Sequence, residues 1–411
     1  MAADIASIST FTDATREAHR AKVAQSVNKD LWLFNHMKAD KQQHNGEEVV
    51  NFTLQTGLPE SATFTSAGAA HPSAVQPTFD KGQLYIKKLI AIMKYNEEVM
   101  HLTGKEAIVK RLVNLRMGTT DVYNILKEFS LYQPADGILA TATSEDSSQT
   151  FTVDSVRWLR KGMVLDGYDS SNTHDADGIV ITDINPSTLT VTVTGDITSV
   201  DTGTNFYSEG SWLTSGSRTI SGTRFTNGIE TICSDVDPDY GDFEGLDRDT
   251  YEYAKAVVAY GASTGENEAF TQDRLFDLLD LGQTQVGLSK LPKMAIGDPK
   301  CVRAIYNNFR DQQQPAVNMP AKDGMPEGLQ FQYGSHTIRI IAAHRASPNM
   351  LLLPNLDHLI KYNGGPEGWD TTTGVRWVPD YQQFEEPYRG WWNYGTDFPQ
   401  SNLALFDITG A

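Results

Sequence analysis

Near the N-terminus, hydrophobic and polar positions alternate with a period of two on either side of a long featureless stretch. In "EEVVNFTLQT" Val50, Phe52 and Leu54 alternate with polar residues, and in "GQLYIKKLIAIMKY" Leu84, Ile86, Ile90 and Ile92 fall on one face. Alternation of this kind, rich in β-branched and aromatic side chains, predicts two strands of a long projection. Between them "TGLPESATFTSAGAAHPSAVQPTF", 24 residues from Thr56 to Phe79, has no period and no charge pattern. At about 3.3 Å per residue, half of that stretch reaches roughly 40 Å from the strand ends. It reads either as a surface loop without order of its own or as an arm that orders on a neighbouring subunit. Ordering such a loop costs on the order of 1 kcal/mol per residue, which a neighbour must offset. Leu58, Phe64, Val75 and Phe79 are then the expected contact points.

The period changes further along. Ile108, Leu112, Leu115, Thr119, Val122, Leu126 and Phe129 recur at spacings of four and three, which predicts an amphipathic helix over 97–131. Gln133-Pro134 and Asp136-Gly137 end it, and Gly104 and Gly118 weaken it locally. Upstream, residues 1–45 mix charge with apolar anchors such as Trp32 and Phe34, without a long stripe, as suits an extended arm with a helical piece. Residues 138–228 hold almost no Lys and many Thr, Asp and Gly, in short alternating runs such as "QTFTVDSV" and "TLTVTVTG". Leu189, Val191 and Val193 face one side there, and turn signals separate the runs, so a small antiparallel β-domain, sandwich or barrel, is expected. Beyond it, "TYEYAKAVVAYGA" and "TQDRLFDLLDLGQTQVG" read as helical, the second with Leu275, Leu278 and Leu279 on one face and Thr271 as a candidate cap. "PKMAIGDPKCVRAIYNNFRDQ" reads as strand, turn and helix, and the segments from Leu329 onward as strands. Helices and strands are grouped rather than regularly alternating, which makes the class α+β.

Composition narrows the possibilities. With 411 residues, 39% of them hydrophobic, the chain has material for one or two sizeable cores and two to three domains. The N-terminus lacks a basic start followed by an apolar core, and no segment approaches 18 continuous apolar residues, so neither secretion nor membrane insertion is indicated. The only cysteines, Cys233 and Cys301, form no metal motif and read as small buried hydrophobes in a reducing compartment. The net charge of −18 is uneven: residues 1–130 carry 15 basic against 14 acidic side chains, leaving 19 against 38 for the remainder. Gripping a polyanion needs Lys and Arg clusters, which this balance does not supply.

Signals for chemistry are weak. The sequence holds no G-x-x-x-x-G-K-[ST], no H-E-x-x-H and no G-x-S-x-G, so the phosphate-binding, zinc and hydrolase cues all fail. "DVDPDYGDFEGL" opens like a calcium loop at Asp235, Asp237 and Asp239, but glycine comes one place late at Gly241, and Leu246 stands where a bidentate Glu is needed. His36 and His44, like His336 and His344, lie eight apart, which gives no compact ligand pair. Glu385 and Glu386 are adjacent on an expected strand and point to opposite faces, which defeats shared acid–base chemistry. No catalytic, cofactor-binding or metal-ligating residue is assigned, and an enzyme is not expected.

The order of the parts resembles the tailed-phage (Caudovirales-type) major capsid protein and its Hong Kong 97-type fold. "GTRFTNGIETICSD" resembles the family's link into the apical domain. "YGDFEGLDRDTYEYAKAVV" is similar to its "Y-x-G-[IL]-D-R-x-x-Y" segment through Tyr240, Gly245, Leu246, Asp247, Arg248 and Tyr251. "GLQFQYGSHTIRII" followed by "NMLLLPNLDHLIKY" is similar to the strand, turn and strand that precede the family's peripheral-domain sheet, and the late "YRGWWNYGTDFPQSNLALFDITG" resembles its closing strand pair. The resemblance covers essentially the whole chain. It implies an N-terminal arm over 1–45 anchored by Trp32 and Phe34, an extended β-loop over 46–96, and the spine helix of the peripheral domain over 97–137. It further implies an inserted β-domain on the outer surface over 138–228, a mainly axial domain over 229–345, and peripheral-domain strands with the C-terminal return over 346–411.

The functional implications follow from the same resemblance. The subunit is expected to assemble with itself into pentamers and hexamers of an icosahedral head shell, which encloses double-stranded DNA without sequence-specific binding. No long scaffolding segment precedes the arm, so a separate scaffolding protein is expected, together with a portal; a decoration protein stays open. The expected location is the virion capsid, assembled in the host bacterial cytoplasm, with no membrane partner. Lys81 lies at the base of the loop rather than its tip, so no covalent cross-link is expected. The alternatives are an encapsulin-like compartment shell, a tail or fibre protein, and an unrecognised hydrolase.

Overall fold

A computed structural model describes residues 32–40, 49–57, 73, 76–96, 105–134, 136–144, 149–169, 174–195, 197, 200–208, 225–238, 241–261, 267–311, 329–370, 375–378 and 383–409. The chain divides into two units, the first from 1–36, 87–226 and 364–392, the second from 37–86, 227–363 and 393–411.

In the first unit, strand Lys87–Asn96 runs antiparallel to strand Gln383–Thr396, with pairs from Asn96↔Gln383 to Lys87↔Trp392. Helix Lys105–Tyr132 packs beside them. Fully buried Tyr123 meets the rings of Tyr388 and Trp392 edge-on at 4.6 and 5.9 Å, and Arg116 donates three hydrogen bonds to Glu386, at 2.6, 2.8 and 3.1 Å. Glu385, on the opposite face, holds Lys94 at 3.0 Å.

The helix departs from the expected stripe. Leu112, Leu115 and Leu126 are half-buried, Val122 is exposed, and Asp121, Tyr123, Ile125, Lys127, Glu128 and Phe129 are buried. The C-terminal half is covered on more than one side, because Trp158 from the following segment packs edge-on against Phe129 at 4.8 Å. The alternation near residue 86 departs too. One strand ends at Tyr85 and the next begins at Lys87, so the inward set after the break is Lys87, Met93 and Tyr95. Ile90 and Ile92 are left 41% and 50% exposed. An interruption of one residue is enough to exchange the two faces of a strand.

The described strands between 140 and 208 form a closed barrel. Strands Ala140–Thr141, Asn205–Ser208, Val164–Tyr168, His174–Asn185, Thr190–Thr194 and Thr150–Thr152 pair in that order. The ends meet through the Ala142↔Val153 bridge and the Thr143 N–H bond to Thr152 O at 2.8 Å. Closure removes the free edges that would template pairing with another chain. Phe151 and Phe206 stack at 4.7 Å in its interior, beside Leu165, Ile179, Val191 and Val193. Leu189 is not in their row; it turns the chain before Thr190 with φ 55°.

The second unit centres on a six-stranded mixed sheet in the order Val257–Ala259, Leu403–Leu405, Leu351–Leu353, Met294–Gly297, His336–Ala342, Leu329–Tyr333. Helices Gln272–Val286 and Pro299–Asp311 join its core through Leu275, Leu278, Leu279, Cys301 and Ile305. Residues 251–259, which read as helical, instead form the 3-10 turn Glu252–Ala254 and strand Val257–Ala259, parallel to Leu403–Leu405. Partnership with a buried strand outweighs the helix propensity of the alanines there. Residues 346–411 are shared out: Leu351–Leu353 and Leu403–Leu405 belong to this sheet, whereas 364–392 belong to the first unit.

Candidate functional site

The flanks of the featureless stretch form an antiparallel hairpin, Val49–Gly57 with Thr78–Tyr85. Its base rests on an apolar cluster of Val50, Leu84 and Tyr362, with Phe52, Ile86 and Ile360 packed against it. Phe52 lies across from Gly82, where a Cβ would meet its ring at 2.4 Å, so glycine makes room for the aromatic. Asn393 closes the end of the hairpin by donating to Tyr85 O at 2.7 Å while its Oδ1 accepts from Asn227 N at 2.8 Å.

Asp235 and Asp237, which open like a cation site, bind the chain itself; Asp239 lies outside the described residues. Asp237 accepts the N–H groups of Phe243 and Arg248 at 3.0 and 2.8 Å, and Asp235 accepts from the Tyr260 hydroxyl at 2.6 Å. Arg248 is fully buried. Its guanidinium donates to the carbonyls of Thr231, Val236 and Ala254 at 2.9, 2.6 and 3.2 Å and sits 4.0 Å from the Phe243 ring centroid. A buried charge is tolerable when its donors are matched in this way.

That scaffold presents a tight turn to the hairpin. Glu244 has φ 54° and Gly245 φ 73°; the left-handed region costs a non-glycine residue about 1 kcal/mol, so surrounding contacts must hold it there. They do. Gln83 N–H donates to Glu244 O at 2.7 Å, a Cβ on Gly245 would stand 3.2 Å from that of Gln83, and Tyr253 donates to Asp80 at 2.7 Å. The Glu244 side chain turns inward, where Oε1 accepts from Thr396 N at 2.9 Å and Oε2 has no hydrogen-bond partner among the described residues. Burial raises its pKa to about 8, against the pull of the Thr396 amide and Arg248 and with a further push from Asp397.

The sequence-derived contact residues are placed unevenly. Leu58, Phe64 and Val75 lie outside the described residues. Phe79 stands on the second hairpin strand opposite Gln55 and is 57% exposed. Trp32 opens the short helix Trp32–His36, with its side chain outside the described set. Phe34 receives the Lys127 ammonium 3.7 Å from its ring centroid, and that ammonium also bonds Glu367 at 2.7 Å. Phe34 and Phe79 belong to different units. Glu244 and Asn393 were not singled out from the sequence, Asp237 entered only as part of a run that opens like a calcium loop, and Arg248 entered only through the family motif.

Both cysteines are free and buried, with thiol pKa values pushed up by burial. Among the described residues, no group of three or more His, Cys, Asp or Glu is placed to hold a metal ion, and no helix is long and apolar enough to cross a membrane.

No protein-family model and no curated protein matches the chain. Among solved structures it is similar to a chain of the Cyanophage A-1(L) capsid asymmetric unit, at 13% identity and TM-score 0.53, over 94% of this chain and 97% of that one. It also matches the holo-SrpI encapsulin complex of Synechococcus elongatus at 7% identity and TM-score 0.48, over 97% and 96% of the two chains. The capsid of a native GTA particle matches at 8% identity and TM-score 0.46, over 95% and 96%. The likeness to the cyanophage chain establishes the fold: the chain has the Hong Kong 97-type fold of tailed-phage capsid proteins.

Proposed function

We propose that this protein is the major subunit of a phage head, assembling with itself into pentamers and hexamers of a closed icosahedral shell around double-stranded DNA. The observation that carries the reading is the capsid fold, matched over nearly the full length of both chains. The hairpin supports it. Its base is fixed within the subunit by Gln83, Asp80 and the apolar cluster, while Phe79 is exposed just after the long stretch 58–78. Residues 58–78 then lie across the neighbouring subunit, with Leu58, Phe64, Val75 and Phe79 as anchors, and Trp32 and Phe34 anchor the arm. A scaffolding protein directs closure, a portal occupies one vertex, and the role is structural rather than catalytic. The acidic balance suits a container that holds DNA without adhering to it.

Sedimentation tests this. The chain, produced in bacteria with its scaffolding partner, is expected to run as fast-sedimenting closed particles. A monodisperse monomer at high concentration with the scaffold present overturns the proposal, and particles filled with an enzyme instead of nucleic acid point to a compartment shell.

A further inference from the structure

The base of the hairpin contains a buried acid that the shell reading does not use. Glu244 sits with its carboxyl against Gly395, where a Cβ would come 2.6 Å from Oε1, 3.1 Å from Tyr362 and 3.3 Å from Leu84. Only one of its oxygens has a hydrogen bond, from the Thr396 amide. The same residue, through its backbone carbonyl, holds the Gln83 amide of the hairpin strand. One residue thus joins a tightly enclosed carboxyl to the contact that fixes the hairpin.

We propose that Glu244 is a proton-operated latch: with its carboxyl neutral, the turn 241–248 clamps the hairpin base, and loss of that proton loosens the clamp and frees the hairpin to pivot. The groups facing the carboxyl decide how it responds. From its own loop comes the Arg248 guanidinium, which is already committed to three carbonyls. From the end of strand Gln383–Thr396 come the Thr396 amide and, just beyond, the Asp397 carboxylate. Strand Leu359–Asn363 contributes the Tyr362 phenol, whose own pKa is raised by burial and by the Glu244, Asp40 and Asp397 charges. The hairpin strand contributes only uncharged Gln83 and Leu84. Arg248 draws the carboxyl towards its anion, but enclosure beside Leu84, Tyr362 and Gly395, with Asp397 adding to it, outweighs that pull.

The linkage has a definite sign. The closed form binds the proton up to about pH 8, whereas the same carboxyl in the released loop has an ordinary pKa of 4.5. Opening therefore becomes easier as pH rises from 4.5 to about 8, and levels off above that. For one proton, the change is about tenfold in the opening equilibrium per pH unit. The latch is a property of the single subunit and stands apart from the shell reading.

Hydrogen exchange of the full-length chain tests it, with peptides covering 79–86 compared with those covering 336–342 in the six-stranded sheet, after correction for the intrinsic base-catalysed rate. Protection over 79–86 is expected to fall about tenfold per pH unit up to about pH 8, while the sheet stays protected. In Glu244→Gln, which keeps the shape without a titratable proton, protection should not vary with pH. In Asp397→Asn the fall should stop at a slightly lower pH, because a minor contributor beside the dominant burial is gone. Equal pH dependence in wild type and Glu244→Gln overturns the latch, as does a flat wild-type profile or parallel loss of protection in the sheet. Should Glu244→Gln fail to fold, the wild-type profile decides: a flat profile, or loss of protection in the sheet in parallel, overturns the latch.

Discussion

Removing the Arg248 guanidinium takes a donor from the carbonyls of Thr231, Val236 and Ala254, of which the bonds to Thr231 and Ala254 are buried. Each orphaned acceptor costs about 1–3 kcal/mol, so Arg248→Met is expected to destabilise the isolated subunit by about 3–5 kcal/mol, read from urea unfolding. A loss below about 1 kcal/mol would mean that water replaces the arginine in place. The motif resemblance drew attention to this residue, but nothing in the spacing of charges says that an arginine is buried. Three aspartates within five residues look the same whether they face a cation or backbone amides. Asp237 faces amides, which only the folded turn reveals. Glu244 was illegible for a related reason: its consequence comes from Leu84, Tyr362 and Gly395, all far from it in sequence.

Among the elements, the hairpin, the long helix and the barrel were legible because each shows its own period over many residues. Faces were less legible. The sequence does not mark the break at Ile86 that turns Ile90 and Ile92 outward, and it does not show that 257–259 has a buried strand to pair with. Two expectations belong to this scale. Replacing 58–78 with a short Gly-containing turn should leave the thermal unfolding of the subunit nearly unchanged, because the base contacts at Val50, Asp80, Gln83 and Leu84 all remain. Assembly should fail in the same variant, and heat-stable shells from it would contradict a role for this stretch on a neighbour. The barrel, expressed alone as 138–228, should give dispersed backbone amide resonances, since its interior is its own. A fragment 105–228 should be more stable by about 0.5–1.5 kcal/mol, through the Trp158 contact with Phe129. Collapsed dispersion in the shorter fragment would show that the barrel needs the helix to fold.

Across the whole molecule, charge and chain economy point the same way. Residues 131–411 carry 19 basic against 38 acidic side chains, a balance that repels a polyanion unless the chain is held around it by contacts with its own copies. A hairpin fixed at its base and followed by a long stretch without period makes sense in an assembly, where the neighbour supplies the surface that one subunit lacks. The fold likeness extends over 94% of the chain, so the fold belongs to the chain as a whole rather than to one part of it. The most direct measurement is an electron cryo-microscopy map of the particles formed with the scaffolding partner. The expected map shows closed icosahedral shells of five- and six-subunit rings, with density for residues 58–78 of each subunit lying on the adjacent one. Shells in which that stretch folds back on its own subunit, or no closed particles at all, would contradict the account.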